Sequence, residues 1–260
     1  METTIDAPET KSTQEASTTD ADNIEAGIWY VGFPGEKGFV DHVTEYTALA
    51  GETSKIPDAL ISDTLTAFME NALDHYFVAP LDTLQASEKH RKIVMVGVNT
   101  IRKAVSAVLR KVVTKMSPED RVKLAQYMNT MVAPPNETHP TSMVIYPIDD
   151  AMAQSAQQLI QRGRNGEAMD VKVDLKSLLI QVNDEAMTAY FDIPFQMMTF
   201  GPIMRKLVTM TADATRTATQ VVIKKVVAGL SEEEMLRMFD YVESLFVTGP
   251  AHTGPLQPVK

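Results

Sequence analysis

The chain has 260 residues, 44% of them hydrophobic and 22% charged, with a formal net charge of −10. That is the composition of an ordinary globular protein, and two cores of about 100 residues are each large enough to fold without staples. It has no cysteine, which excludes disulfides, thiol nucleophiles, iron–sulfur clusters and cysteine zinc sites together and fits a reducing cytoplasm.

Residues 1–26 are rich in Thr, Ser, Ala, Asp and Glu, with only Ile5 and Ile24 as large aliphatics. Such a segment buries too little apolar surface to offset its ordering entropy, so it reads as a disordered acidic tail. Its acids and the lack of an apolar run argue against a secretory signal.

A first helical module is expected over 27–132. It opens with a β-branched and aromatic strand, Ile28–Phe33, stopped by Pro34. A helix over Gly38–Ala50 follows, ending near Gly51 as helices often do. Two shorter helical pieces then flank Pro80. The central element is a long helix, Glu88–Met116. Its apolar residues Val94, Val98, Ile101, Val105, Val108, Val112 and Met116 fall at steps of three and four, which places them on one helical stripe. A last helix opens on Ser117-Pro-Glu-Asp, an N-cap serine with proline at N1 and an acid three residues on.

The segment APPNETHPT (133–141) holds three prolines and no apolar period, and reads as a linker. A second module, 142–247, repeats the plan. It has a strand over Met143–Ile148, a helix over Asp150–Arg162 ending near Gly163, and two pieces around Pro194. A long helix over Ile203–Leu230 and a helix opening on Ser231-Glu-Glu-Glu complete it. Residues 248–260, broken by Pro and Gly, form a flexible tail. The longest uncharged apolar run of this half, Ile193–Met204, is too short and too proline-broken to span a bilayer, so no membrane partner is expected.

Sliding the sequence on itself by 114 positions aligns 63–132 with 177–246 without a gap, and 17 of 70 positions are identical, where chance gives about four. Ala72, Tyr76, Phe77 and Pro80 recur as Ala186, Tyr190, Phe191 and Pro194; Lys111-Val112-Val113 recurs as Lys225-Val226-Val227. Upstream the offset is 113, matching Val31 and Pro34 to Val144 and Pro147. The expected fold class is therefore mainly α: two tandem copies of a helical module, each with one short strand before about five helices. The two strands are candidates to pair across the copies.

No catalytic signature stands out. There is no GxxxxGK[ST], GxGxxG or G-x-S-x-G. His42 and Glu45 make half a metal site at best, and Asp74-His75 has Thr188-Ala189 in its place in the second copy. The expectation is a protein that is not an enzyme and needs no metal or cofactor.

Charge is the strongest asymmetry. Residues 88–116 carry eight cations against Glu88 alone, a net of +7, and 203–229 carry five against Asp213, a net of +4. At about 100° per residue, Lys92, Lys103 and Arg110 share one line opposite the valine stripe, and Lys206 and Lys224 share the equivalent line. Arg91 and Arg102, with Arg205 and Arg216, lie at the stripe's edge and are alternatively interior partners for acids such as Glu119 and Glu233. Rows of cations suit a phosphate backbone, because each contact releases condensed counterions. Lys92, Arg102, Lys103, Arg110, Lys111, Lys206, Arg216, Lys224 and Lys225 are thus the candidate nucleic-acid-binding residues. RNA or single strands are preferred, because Trp29, Tyr30, Phe33 and Tyr146 offer a base-stacking platform, unless they alternate into a core. The alternative is a structural or scaffold protein that meets protein partners, or itself, through Met197, Met198 and Phe200.

Overall fold

The computed structural model describes residues 28–52 and 55–249. The expected tail over 1–26 lies outside them, as do residues 250–260 of the tail expected over 248–260, whose first two residues instead end a strand. The fold is mainly helical with one small sheet, and no described helix is long and apolar enough to cross a membrane.

In chain order the first half contributes β1 (Ile28–Pro34), α1 (Lys37–Glu52), α2 (Asp58–Leu73), a π-helical turn over Asp74–Val78, α3 (Ala79–Thr83), α4 (Glu88–Val113), α5 (Pro118–Thr130) and β2 (Val132–Ala133). The second contributes β3 (Met143–Pro147), α6 (Asp150–Arg162), a π-helical turn over Gly163–Glu167, α7 (Lys172–Met187), another over Thr188–Asp192, α8 (Ile193–Met197), α9 (Pro202–Gly229), α10 (Glu232–Leu245) and β4 (Phe246–Gly249).

Local chemistry explains most boundaries. Every residue of the expected stripe from Val94 to Met116 is buried. The hydroxyl of Ser117 caps α5 by accepting from the Asp120 N–H at 3.1 Å, and Ser231 and Glu234 form a reciprocal capping box on α10. The turns before Pro80 and Pro194 widen for a reason: proline lacks an N–H and its ring crowds the carbonyl four residues back. The chain answers with five-residue closures, Ala79 N–H to Asp74 O and Ile193 N–H to Thr188 O.

α1 and α6 end within a residue of Gly51 and Gly163, as expected, but neither glycine is a left-handed stop. Gly51 lies inside α1, and the chain stays helical through Gly163. A Cβ at Gly163 would meet the Phe239 ring at 2.2 Å, so that glycine serves close packing. Gly166, at φ +101°, supplies the left-handed break instead.

The sheet order is β2-β3-β1-β4, all antiparallel. β1 pairs centrally with β3, as the sequence suggested, with Gly32 opposite Ile145. The edge strands β2 and β4 were not expected. Each pairs across the halves: Val132 lies opposite Val144, and Phe246 opposite Val31. Among the described residues no strand pairs within its own half. The segment read as the linker, 133–141, begins in β2 at Ala133 and otherwise falls in the connection from β2 to β3.

Alternation sends Val31, Phe33, Val144 and Tyr146 inward, while Tyr30, Met143 and Ile145 form a small cluster on the other face. The inner core is shared in the same crossed way. One cluster joins α1, α2 and α5 to Met198, Phe200 and Val208 of the second half. The other joins α6, α7 and α10 to Leu81, Leu84 and Val94 of the first. The Tyr127 hydroxyl donates to Ala189 O at 2.6 Å, and the Tyr241 hydroxyl to His75 O at 2.7 Å.

The long helices α4 and α9 run antiparallel against each other. A Cβ at Gly97 would meet Val222 at 2.4 Å, and one at Gly229 would meet His90 at 2.3 Å, so residue numbers rise on one helix as they fall on the other. Glycine at Gly97 lets two backbones approach closely at the cost of about 1 kcal/mol of helix propensity.

Candidate polyanion-binding face

Packing each valine stripe inward leaves the opposite face of each long helix turned outward. On these faces Lys92, Lys103, Arg110, Lys111, Lys206, Lys224 and Lys225 are exposed. Among the described residues, none of these seven makes a hydrogen bond or ion pair through its side chain. Unpaired cations in a row along a helix raise the local potential and keep their full donor capacity for a ligand.

Their arrangement follows from the antiparallel packing. Lys92 near the start of α4 lies toward the end of α9, where Lys224 and Lys225 sit. Arg110 and Lys111 near the end of α4 lie toward the start of α9, beside Lys206. Lys92 and Arg110 are about 27 Å apart along the axis at about 1.5 Å of rise per residue. Cations therefore stand toward both ends of the helix pair, with Lys103 between them along the axis. Between these cations the two helices carry Val96, 61% exposed, and Met210, 59% exposed, together with Asn99, Thr100, Ala214 and Thr217.

Arg102 and Arg216 are placed differently from the other candidates. Arg102 grips both oxygens of Glu70, with Nε–Oε1 at 2.7 Å and Nη2–Oε2 at 2.8 Å, and also reaches Asn99. Its hydrogen bonds to Glu70 push its pKa upward against the opposing effect of burial. Arg216 pairs with Asp192 and, at 3.7 Å, with Asp213. Both are half-buried and engaged internally, which removes them from the set of free cations. Arg91 and Arg205 are engaged as well. Arg91 donates to the carbonyls of Ala86 and Leu81 and pairs with Asp82 at 2.8 Å, and Arg205 donates to those of Phe200 and Met198. Each locks the turn leading into its long helix. The acids expected as partners are elsewhere: Glu233 pairs with Arg237 within α10.

Two further expectations are corrected. Of the four stacking candidates only Trp29 is partly exposed, and the other three are buried. Phe33 is 1% exposed, stacked on His75 and edge-on to Tyr76, while Tyr146 is buried and donates to Val182 O at 2.9 Å. Tyr30 is buried on the far side of the sheet. The Met197, Met198 and Phe200 patch is likewise interior. Met198 and Phe200 are 3% and 7% exposed within the core beneath α8, and half-buried Met197 packs against the same cluster. Greasy residues in a short helix between prolines are core here, because α8 closes over α5.

Among the described residues no group of three or more His, Cys, Asp or Glu side chains is disposed to hold a metal ion. His42 and His90 each bury an Nδ1 without a hydrogen-bond partner, though His90 lies 3.7 Å from Glu234. Burial pushes the Glu234 carboxyl upward, but the hydrogen bonds from Ser231, helped by His90 and Arg237, together hold it below its ordinary range. Compared with known proteins, the chain matches no family model, no curated protein and no solved structure.

Proposed function

We propose that this chain is a non-enzymatic binding protein that grips the phosphate backbone of a nucleic acid along α4 and α9. The observation that carries the reading is the set of seven exposed cations along α4 and α9 whose side chains have no partner among the described residues. The binding set is Lys92, Lys103, Arg110, Lys111, Lys206, Lys224 and Lys225. Without an aromatic platform beside them, the contact is to phosphates and carries little base preference. Cations toward both ends of one helix pair act as linked weak sites, so their combined affinity exceeds that of either end.

We also infer that the chain is an internal duplication, two copies of one helical module offset by 114. The reading is supported by the element order, which recurs from β1–β2 to β3–β4. Contacts at matched positions add to it: Tyr127 to Ala189 and Tyr241 to His75 are the same contact exchanged between halves. Duplication gives the two long helices equivalent cations, Lys92 and Arg110 recurring as Lys206 and Lys224.

A second reading, docking of an acidic protein segment, is favoured by the exposed Val96, Met210 and Val221 lying along the same helices. Exposed apolar side chains add nothing to phosphate binding but do add to a protein interface.

The test is fluorescence anisotropy with labelled single-stranded RNA and duplex DNA. Affinity is expected to fall by about two to three orders of magnitude between 50 and 200 mM salt. Reversing Lys92, Lys103, Arg110, Lys206 and Lys224 to Glu is expected to abolish it. Absence of binding at low salt, or binding that survives the reversal, overturns the reading.

A further inference from the structure

The core contains two cavities of about 120 Å³ each, and they are built alike. The first takes Leu65, Leu109, Val112 and Tyr127 from the first half and Tyr190 and Pro194 from the second. The second takes Leu179, Ile223, Val226 and Tyr241 from the second half and Tyr76 and Pro80 from the first. Every residue of one set is the other's counterpart at an offset of 114. Each cavity is thus walled by one half's α2 or α7, long helix and last helix, and closed by the other half's π-helical turn and proline. Such turns are frequent at functional sites, because the widened backbone leaves space beside it. The strongest cluster of recurring residues, Tyr76-Phe77 and Pro80 with Tyr190-Phe191 and Pro194, lines these spaces.

No charged side chain lines either cavity. Apart from tyrosine hydroxyls, the polar side chains come from one half only. Asn183, Thr215 and Thr219 all line the first cavity, where their counterparts on the first half's helices, Met69, Ile101 and Val105, are apolar and line it too. The fold therefore closes around apolar residues at these positions without difficulty. A buried hydroxyl without a partner is costly, and Thr215 is such a case: it is 5% exposed, and its Oγ1 is buried and unbonded. One turn earlier Thr211 bonds the Leu207 carbonyl at 3.0 Å, the usual resort of a helical threonine. Thr215 forgoes that bond.

We propose that the first cavity is a binding site for a small, uncharged, single-ring phenol whose hydroxyl pairs with Thr215 Oγ1. The size fits: an engineered apolar cavity of about 150 Å³ takes up benzene. Phe68, Tyr190 and Phe195 supply aromatic walls, Phe68 and Tyr190 meeting edge-on at 4.9 Å. Absence of charge in the lining selects against ionised ligands. The second cavity lacks Thr215 and takes an apolar ring without the hydroxyl anchor. This site is independent of the basic residues on α4 and α9.

Isothermal calorimetry with phenol, and with benzene as the apolar control, tests the assignment on the full chain. Phenol is expected to bind the wild type. Thr215→Val keeps the side chain's shape and removes the hydroxyl. It is expected to weaken phenol about tenfold, to leave benzene unchanged, and to raise the thermal midpoint by removing an unpaired polar group. Ala72→Leu fills the first cavity only and is expected to abolish the Thr215-dependent phenol site, with circular dichroism reporting the fold. No phenol binding to the wild type overturns the proposal. So does phenol affinity unchanged in both folded variants.

Discussion

The hydroxyls of Tyr76 and Tyr190 lie 3.4 Å apart in the middle of the molecule, and the two residues are separated by the offset that aligns the halves. Burial pushes both phenols well above their ordinary pKa, so both stay protonated and able to donate. Phenylalanine at position 76 leaves the Tyr190 hydroxyl without its partner and is expected to cost about 1–2 kcal/mol, and at position 190 less, because Tyr76 keeps the Tyr146 hydroxyl. The double variant removes both groups and is expected to cost clearly less than the sum of the singles. Urea denaturation of the four proteins measures this, and additive losses would show that the hydroxyls do not interact.

Arg102 and Lys103 are chain neighbours with opposite roles. Arg102→Gln breaks a bidentate pair with Glu70 that is only partly shielded from water. It is expected to destabilise by about 0.5–1 kcal/mol, with little effect on anion binding beyond that. Lys103→Gln touches nothing in the chain, so stability is expected to stay within about 0.5 kcal/mol. The slope of log affinity against log salt is expected to become shallower by roughly 0.7–0.9. Denaturation and salt-titrated anisotropy on both variants decide the assignment.

Because every described strand pair crosses the halves, neither half is expected to fold alone. A chain cut within 134–142 gives two fragments that lack partners for β1 and β3. Each is expected to show weak helicity by circular dichroism, and an equimolar mixture is expected to recover the native spectrum. A fully helical, cooperatively melting single fragment would contradict this.

Glu234 links a helix cap to a buried histidine. Its carboxyl pKa is lowered in the folded state, so its contribution is present above the unfolded glutamate value of about 4.3 and is lost as pH falls through the folded one. Glu234→Gln is expected to cost about 1 kcal/mol at pH 7 through the cap. It is also expected to flatten the acid limb of the stability–pH curve, which melts between pH 7 and 3 would follow. An unchanged acid limb would remove Glu234 as its source.

How much of this was legible follows from the reach of each signal. The α4 stripe from Val94 to Met116 and the caps at Ser117 and Ser231 depend on residues within a turn or two, and they are found where spacing places them. The outward line of Lys92, Lys103 and Arg110 is legible for the same reason, since a helix fixes which side chains share a face. The partners of Arg102 and Arg216 were not, because Glu70 and Asp192 sit on other helices and nothing local marks them. Met198 and Phe200 resembled a docking patch because hydrophobicity alone cannot distinguish a surface from a core covered by a distant element. β2 and β4, two and four residues long, carry too little alternation to be noticed. Their existence depends on strands more than a hundred positions away in one case and about ten in the other. The Tyr-Phe-x-x-Pro recurrence was visible, but the cavities it lines arise only where the halves cross.

The sheet sets a schedule for the chain on the ribosome. β1 emerges early, yet its partners are β3, more than a hundred residues later, and β4, near the other end. At 5–20 residues per second, β1 waits on the order of ten seconds or more before its second partner has been made. Throughout that interval the unpaired edge of β1, with Val31 and Phe33 uncovered, is a template for any extended segment nearby. The first half must therefore be held or delayed during synthesis, and the final four-residue strand is the step that retires the hazard.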